Sequence, residues 1–322
     1  MENVILDVQN LKKYFPIRGG IFSREVASVH AVDNVSFKTR KGEIFGIVGE
    51  SGCGKTTLGR CILRLIEPTD GKIILKGKDL TEMGGKELRR IRSETAMIFQ
   101  DPYSSLNPRM TVSDIVSKPL RIHKVAKGDE LRERVMSLLT KVGLSPEHLN
   151  RYPHEFSGGQ KQRIGIARAL ALNPSLIVAD EPVAALDVSV RAGILNLMKD
   201  LQREFGLTYI FISHDLSVVK HICDRVAAMY LGEIVEVART EDLFDNPLHP
   251  YTKALISAIP IPDPTKKKDR IILPGDPATP INPPKGCRFA RRCVNATPSC
   301  TKETPKLKKV SEDHYVACKQ IQ

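Results

Sequence analysis

Residues 49–56 read Gly49-Glu50-Ser51-Gly52-Cys53-Gly54-Lys55-Thr56, the pattern G-x-x-x-x-G-K-[ST] of a loop that holds polyphosphate. The apolar run Ile44–Val48 leads in as a buried strand, and residues 57–66 lead out as a helix. That strand–loop–helix order separates a phosphate loop from an ordinary glycine-rich turn. The glycines let the backbone turn tightly and aim N–H groups inward, at the positive end of the following helix. Lys55 can then reach the β- and γ-phosphates, and the Thr56 hydroxyl can ligate Mg²⁺. Phosphate contacts are expected from Gly49, Ser51, Gly52, Cys53, Gly54, Lys55, Thr56 and Thr57.

The rest of the chain has room for one large α/β domain with an appendage, at 322 residues, 41% hydrophobic and 27% charged. No apolar run approaches the ~18 residues of a membrane helix. The N-terminus lacks the basic and apolar regions of a signal peptide. The expectation is a protein kept in the cytoplasm, peripheral to any membrane it serves, with other subunits doing the crossing. Net charge is +12, and residues 285–322 carry nine Lys or Arg against three acids, half of that excess. This reads as a solvated surface, or as charge offsetting an anionic metal centre. With no Trp there is no visible stacking platform, so no nucleic acid is expected as a partner.

Upstream of the loop, residues 4–8 and 31–37 read as short strands, joined by a long surface hairpin or loop over 16–30 that contains Gly19-Gly20. Tyr14 and Phe15 stand at the end of the strand region, where core packing explains an aromatic pair about as well as base stacking does. Downstream, 67–71 reads as a turn, 72–75 as a strand, and 96–99 as a strand ending at Gln100. Residues 101–156 are punctuated by Pro102, Pro108 and Pro119 and contain an amphipathic stretch over 129–142. With the next helix they make a helical insertion of about 101–172. That helix opens at Ser157-Gly158-Gly159-Gln160, whose free N–H groups suit an anion or a plain serine cap equally. Residues 176–179 form a continuous apolar run, the mark of a strand buried on both faces. It ends in Asp180-Glu181, badly placed for structure but well placed for a crevice at the strand ends. Asp180 can hold Mg²⁺ and Glu181 can polarise an attacking water. Ala185-Leu186-Asp187, a helix over 188–205 and a strand over 208–213 delivering His214 complete the series.

In this order, Gly49 to Thr56, Gln100, Ser157 to Gln160, Asp180-Glu181, Asp187 and His214 resemble the motif set of the ABC ATPases. The resemblance covers residues 1–240. It implies an α/β P-loop ATPase domain over 1–245, a mixed sheet with a helical subdomain. It also implies that Phe15, or else Tyr14, stacks on adenine. Gln100 would join Thr56 and Asp180 around Mg²⁺, with Glu181 as the catalytic base and His214 and Lys55 at the γ-phosphate. Ser157, Gly158, Gly159, Gln160 and Asp187 would complete an ATP site held by a second ATPase subunit, identical or paralogous, in a head-to-tail dimer.

A narrower resemblance lies in residues 100–110, Gln-Asp-Pro-Tyr-Ser-Ser-Leu-Asn-Pro-Arg-Met, and 249–255, His-Pro-Tyr-Thr-Lys-Ala-Leu. Both are similar to the ATPase subunits of bacterial oligopeptide and dipeptide importers, and the long 16–30 connection to the F-type of the two paired ATPases. This implies two membrane-spanning permease subunits docking near 101–112, and a peptide-binding protein met only indirectly. Two positions depart from the family pattern: Ala184 where Ser is usual before Ala-Leu-Asp, and Phe156 where many members have Leu.

Residues 246–322 read as a small irregular extension. Ten of the 21 prolines fall between Pro247 and Pro284, giving a stiff, extended connection. Residues 285–322 are too few and too polar to bury a core without a staple. Cys287, Cys293, Cys300 and Cys318, spaced C-x5-C-x6-C-x17-C, could supply one through Zn²⁺ or an iron–sulfur cluster, and the spacing leaves the metal open. Lys285, Arg288, Arg291 and Arg292 would favour thiolate over thiol. The importer resemblance implies a [4Fe–4S] cluster, with Zn²⁺ the alternative.

The competing function is a soluble ABC-type ATPase of DNA repair or translation. Only 56 residues separate Gln100 from Ser157, too few for the long coiled coil of repair members, and the chain holds a single cassette. A redox sensor leaves the ATPase motifs unexplained, and a GTPase would need an Asn-Lys-x-Asp motif that is absent. Whether the cargo is dipeptide, oligopeptide or nickel is not written in this chain.

Overall fold

The computed structural model describes residues 3–20, 24–260, 270–275 and 279–321. In chain order its first elements are β1 (Val4–Gly19), β2 (Arg24–Arg40), β3 (Ile44–Val48), α1 (Lys55–Ile62), β4 (Asp70–Leu75) and β5 (Lys78–Asp79). Then come α2 (Gly85–Ile91), β6 (Thr95–Ile98), α3 (Pro102–Ser105), α4 (Val112–Ile122), α5 (Gly128–Lys141), α6 (Gly158–Leu170), β7 (Leu176–Asp180) and α7 (Val188–Phe205). The last are β8 (Thr208–Ser213), α8 (Leu216–Ile222), β9 (Arg225–Tyr230), β10 (Glu233–Arg239), α9 (Thr240–Asp245), α10 (Pro250–Ser257), β11 (Lys308–Ser311) and β12 (His314–Val316). These elements fall into two compact units, Met1–Glu82 with Ser213–Gln322, and Met83–Ile212.

The first unit holds an antiparallel sheet in the order β2-β1-β4-β5. It also holds a mixed set in the order β11-β12-β10-β9-β3, in which only the β3–β9 pairing is parallel. Every residue of β3 and β9 is buried, as their apolar runs require of strands covered on both faces. The 16–30 connection is a hairpin: β1 and β2 pair from Val4↔Arg40 out to Gly19↔Arg24. Both strands are therefore longer than the sequence predicts. The reason is Asn10, whose left-handed backbone (φ +48°) sits at a register shift between Val8 and Leu11. Such a bulge breaks the apolar alternation without ending the strand. Helix α1 is shorter than predicted, because Arg64 turns left-handed (φ +48°) just beyond it.

The C-terminal segment does not stand apart as a stapled appendage. Strand β12 joins the edge of β10, with Glu236 opposite Val316 and Val237 opposite Tyr315, and β11 closes the hairpin. Tyr251 and Phe289 are fully buried and pack with Tyr230, the ring centroids 4.7 to 5.5 Å apart. A segment too small for its own core thus shares the core of the unit it joins.

In the second unit β6, β7 and β8 are parallel, in the order β8-β7-β6. Helices α4, α5 and α6 pack together as the helical insertion, and α6 also lies against β6 and α7. Side chains of Asp101, Thr111 and Ser157 cap α3, α4 and α6. Among the described residues no helix is long and apolar enough to cross a membrane.

Candidate nucleotide site

The phosphate loop leaves β3 through backbone that only glycine permits. Gly49 has φ +153°, and a Cβ there would lie 2.1 Å from the Met229 carbonyl oxygen. Gly54 has φ +104°, and a Cβ would lie 1.9 Å from the Ala31 carbonyl oxygen. The loop is thus pressed between the end of β9 and the middle of β2. Lys55 is buried, and its Nζ donates to the carbonyls of Gly49 (2.8 Å) and Glu50 (2.9 Å), inside the arc of the loop. Gly54 is the N-cap of α1 and offers no side-chain cap, so no side chain of the cap competes for the first N–H groups. Ser51 and Gly52 are exposed, while Thr56 and Thr57 are half-buried in the first turn of α1. Cys53 is buried under Gly49, and burial pushes its thiol up.

On β1, Phe15 presents its ring to solvent at 38% exposure, with Lys13 Nζ 4.8 Å from the ring centre. Tyr14 is committed elsewhere. Its hydroxyl donates to Asp33 Oδ1 at 2.6 Å and its ring stacks on His30 at 4.0 Å. Of the two aromatic candidates, Phe15 is the one with an available face. His214, one residue beyond β8, is exposed ahead of the Asp215 cap of α8.

The second unit brings together several of the other candidates. Asp180 ends β7 with 3% exposure, and Glu181 follows in left-handed backbone (φ +47°) whose N–H donates to the Ile212 carbonyl at 2.9 Å. Gln100 Nε2 donates to Glu181 Oε2 at 2.8 Å. At α6, Ser157 and Gln160 form a capping box: Ser157 Oγ accepts from the Gln160 N–H, and Gln160 Oε1 accepts from the Ser157 N–H at 3.0 Å. The plain-cap reading of this motif is therefore satisfied, while Ser157 stays exposed and Gly158 half-exposed. Gly159 is held by packing, since a Cβ there would meet Val190 Cγ1 of α7 at 2.3 Å. Asp187 is the exposed N-cap of α7 with no side-chain cap bond, and Ala184 is exposed nearby. Between 101 and 112, Tyr103, Ser104, Asn107, Pro108 and Arg109 are exposed around the buried Pro102 and Leu106. Lys161 Nζ lies 4.0 Å from the Tyr103 ring centre.

The four tail cysteines line one small cavity together with His249, Phe289 and Pro305, and none is in a disulfide. The expected metal-bound extension nonetheless finds no support in this geometry. Among the described residues no group of three or more His, Cys, Asp or Glu side chains is placed to hold a metal ion. Nor do the neighbouring arginines favour thiolate. Burial pushes Cys287 up to about 11 and raises Cys293, while Cys300 is lowered by hydrogen bonds with Thr297. Arg288 is spent on Asp33 and on Glu233, and Arg292 on Glu50, so their charges are already answered.

Those pairings join the extension to the loop and escape sequence reasoning. Arg292 Nη1 donates to both carboxylate oxygens of Glu50 at 3.0 and 3.1 Å, and the Glu50 N–H donates to the Tyr251 hydroxyl at 2.9 Å. Tyr251 belongs to the 249–255 motif, which was the one available signal. Glu50 fills an unspecified position of the loop pattern.

Comparison with known proteins places this geometry among relatives. The ABC transporter family profile matches residues 32–184, and that of the oligopeptide/dipeptide transporter C-terminal region matches 235–300. The oligopeptide transport ATP-binding protein AppF of Bacillus subtilis (strain 168) is 54% identical over 320 residues, 98% of this chain and 97% of that protein. The oligopeptide transport ATP-binding protein OppF of Salmonella typhimurium is 52% identical, over 99% of this chain and 96% of its own length. Among solved structures, the dimeric post-hydrolysis state of the ATP-binding cassette MJ0796 with ADP and Pi has a TM-score of 0.65 at 31% identity. It covers 73% of this chain and 99% of its own.

Proposed function

Because the chain belongs to the ATP-binding proteins of oligopeptide/dipeptide ABC transporters, we infer that it binds and hydrolyses ATP to drive peptide import through separate membrane subunits. The carrying observation is similarity along the whole length, in which the oligopeptide/dipeptide transporter C-terminal profile matches 235–300, beyond the ABC transporter profile at 32–184. The subunit works as a peripheral protein at the cytoplasmic face of the membrane.

The residues divide the labour as follows. Phe15 stacks on the adenine, and the N–H groups of the 49–56 loop and of α1 hold the phosphates. Lys55 and His214 meet the charge that spreads over the γ-phosphoryl oxygens as the bond to the leaving group lengthens. Glu181 orients the attacking water and takes its proton, held in place by Gln100. By the motif resemblance Asp180, Thr56 and Gln100 would each supply an oxygen donor of the kind a hard cation such as Mg²⁺ takes, and Asp180 is a buried carboxylate. When bound, that ion neutralises phosphate charge.

A second ATPase subunit, identical or paralogous, presents its own Ser157–Gln160 turn and Asp187 to the ATP held here, so hydrolysis waits on closure. The exposed 101–112 segment receives a permease subunit. Cys287, Cys293, Cys300 and Cys318 line one cavity, and four cysteines are donors of the kind a thiophilic group takes. By the importer resemblance that group would be a [4Fe–4S] cluster, with Zn²⁺ the alternative. When bound, the cluster cross-links the tail.

The test is reconstitution of the chain with its co-purifying membrane proteins in vesicles. ATP-dependent accumulation of a labelled oligopeptide is expected. ATP turnover in an intact assembly that moves no peptide of any length would overturn peptide import.

A further inference from the structure

Glu50 is held from two directions by the C-terminal extension. Its N–H points to the Tyr251 hydroxyl at 2.9 Å, and its carboxylate takes two hydrogen bonds from Arg292. Neither partner is a mobile surface group. Tyr251 is 0% exposed and wedged between Tyr230 and Phe289, and Arg292 is 8% exposed. The second anchor is Arg288, which pairs with Asp33, meets Glu233 Oε1 at 3.1 Å and donates to the Leu231 carbonyl. Asp33 in turn holds the hydroxyl of Tyr14, next to Phe15. The extension therefore grips the loop at its second residue and the strand β1 beside its exposed ring.

The loop needs such a grip. Gly49, Gly52 and Gly54 all have positive φ, so the segment has little intrinsic preference for its phosphate-binding shape. A loop that must be ordered by its ligand binds more weakly than one ordered beforehand.

We propose that Arg292 and Tyr251 are positioning residues for ATP: by fixing Glu50 they pre-form the 49–56 loop, and through them the extension sets nucleotide affinity. This rests on the reading that the 49–56 loop holds the phosphates.

The experiment is equilibrium binding of a fluorescent ADP analogue to the full chain, with ATPase kinetics and thermal midpoints on the same samples. Tyr251→Phe and Arg292→Gln are each expected to weaken binding about fivefold to tenfold. KM for ATP should rise more than kcat falls, and Arg292→Lys should recover part of the loss. The Glu50→Gln/Arg292→Gln pair is expected to bind no more weakly than the worse single variant, because both act through one contact. Affinity within about twofold of the parent in both Tyr251→Phe and Arg292→Gln would overturn the proposal. So would losses that simply track the thermal midpoint. Lys55→Ala is the separate control: undiminished affinity there would overturn the phosphate-loop reading itself, whatever the Arg292 variants do.

Discussion

Gln100 donates its side-chain amide to the Glu181 carboxylate at 2.8 Å, just beyond the ends of the paired strands β6 and β7. The bond engages one carboxylate oxygen and helps to fix the orientation of the carboxyl group, which would serve the proposed role of Glu181 in orienting a water. Glu181→Gln keeps an oxygen to accept from Gln100 but cannot take a proton. Its kcat should fall by about 10²–10⁴-fold with ATP binding retained. Phosphate release and filter binding measure the two quantities. Unchanged turnover would show that another group positions the water.

Gly159 makes a packing prediction independent of chemistry. An added Cβ would lie 2.3 Å from Val190 Cγ1, and a β-branched residue in a helix has little rotamer freedom to retreat. Gly159→Ala should therefore cost about 1–3 kcal/mol in urea unfolding of the full chain. Adding Val190→Ala, which deletes the clashing methyl, should return most of it. A double variant as unstable as the single would show that the strain lies in the α6 backbone.

The sequence was legible where structure is local. Buried β3 and β7 announce themselves as apolar runs, and the residues they deliver, Gly49 onward and Asp180-Glu181, follow within a few positions. The helical insertion was legible for the same reason, through its prolines and the amphipathic stretch that became α5. What was hidden is long-range. Glu50 and Arg292 are 242 residues apart and Arg288 and Asp33 are 255 apart, and nothing in either local sequence names its partner. The same pairs explain why Arg288 and Arg292 do not favour thiolate as composition suggested. Asn10 misled in another way: its bulge hides a strand that the backbone continues.

The cysteine cavity makes a compositional prediction. Chain purified without oxygen should be brown and contain iron and acid-labile sulfide, and Cys293→Ser should lose the colour while retaining the fold of the ATPase core by circular dichroism. Cys293 lines the cavity but carries no part of the sheet pairing, so the fold does not depend on it directly. Colourless protein with one bound zinc would refute the iron assignment, and collapse of the whole chain on the serine substitution would refute the view that the tail borrows its core.

His249 makes a prediction about pH. It is the N-cap of α10, and its Nδ1 accepts from the Tyr251 N–H at 3.1 Å, which only the neutral ring can do. Burial pulls its pKa down from 6.5 to about 4, and the nearby Glu236 carboxylate only partly opposes this. The folded value lies below the unfolded one, so between pH 6.5 and about 4 the unfolded chain takes up a proton that the folded chain refuses. The contribution is complete above pH 6.5 and declines as pH falls through that window. By pH 5 the loss should be about 2 kcal/mol. His249→Asn keeps an acceptor at the cap and cannot titrate. Unfolding curves at pH 7.5 and pH 5 should show the variant losing less stability than the parent by about that amount. Equal losses in the two proteins would mean that the imidazole is charged without cost in the fold, and that the Tyr251 N–H does not depend on it.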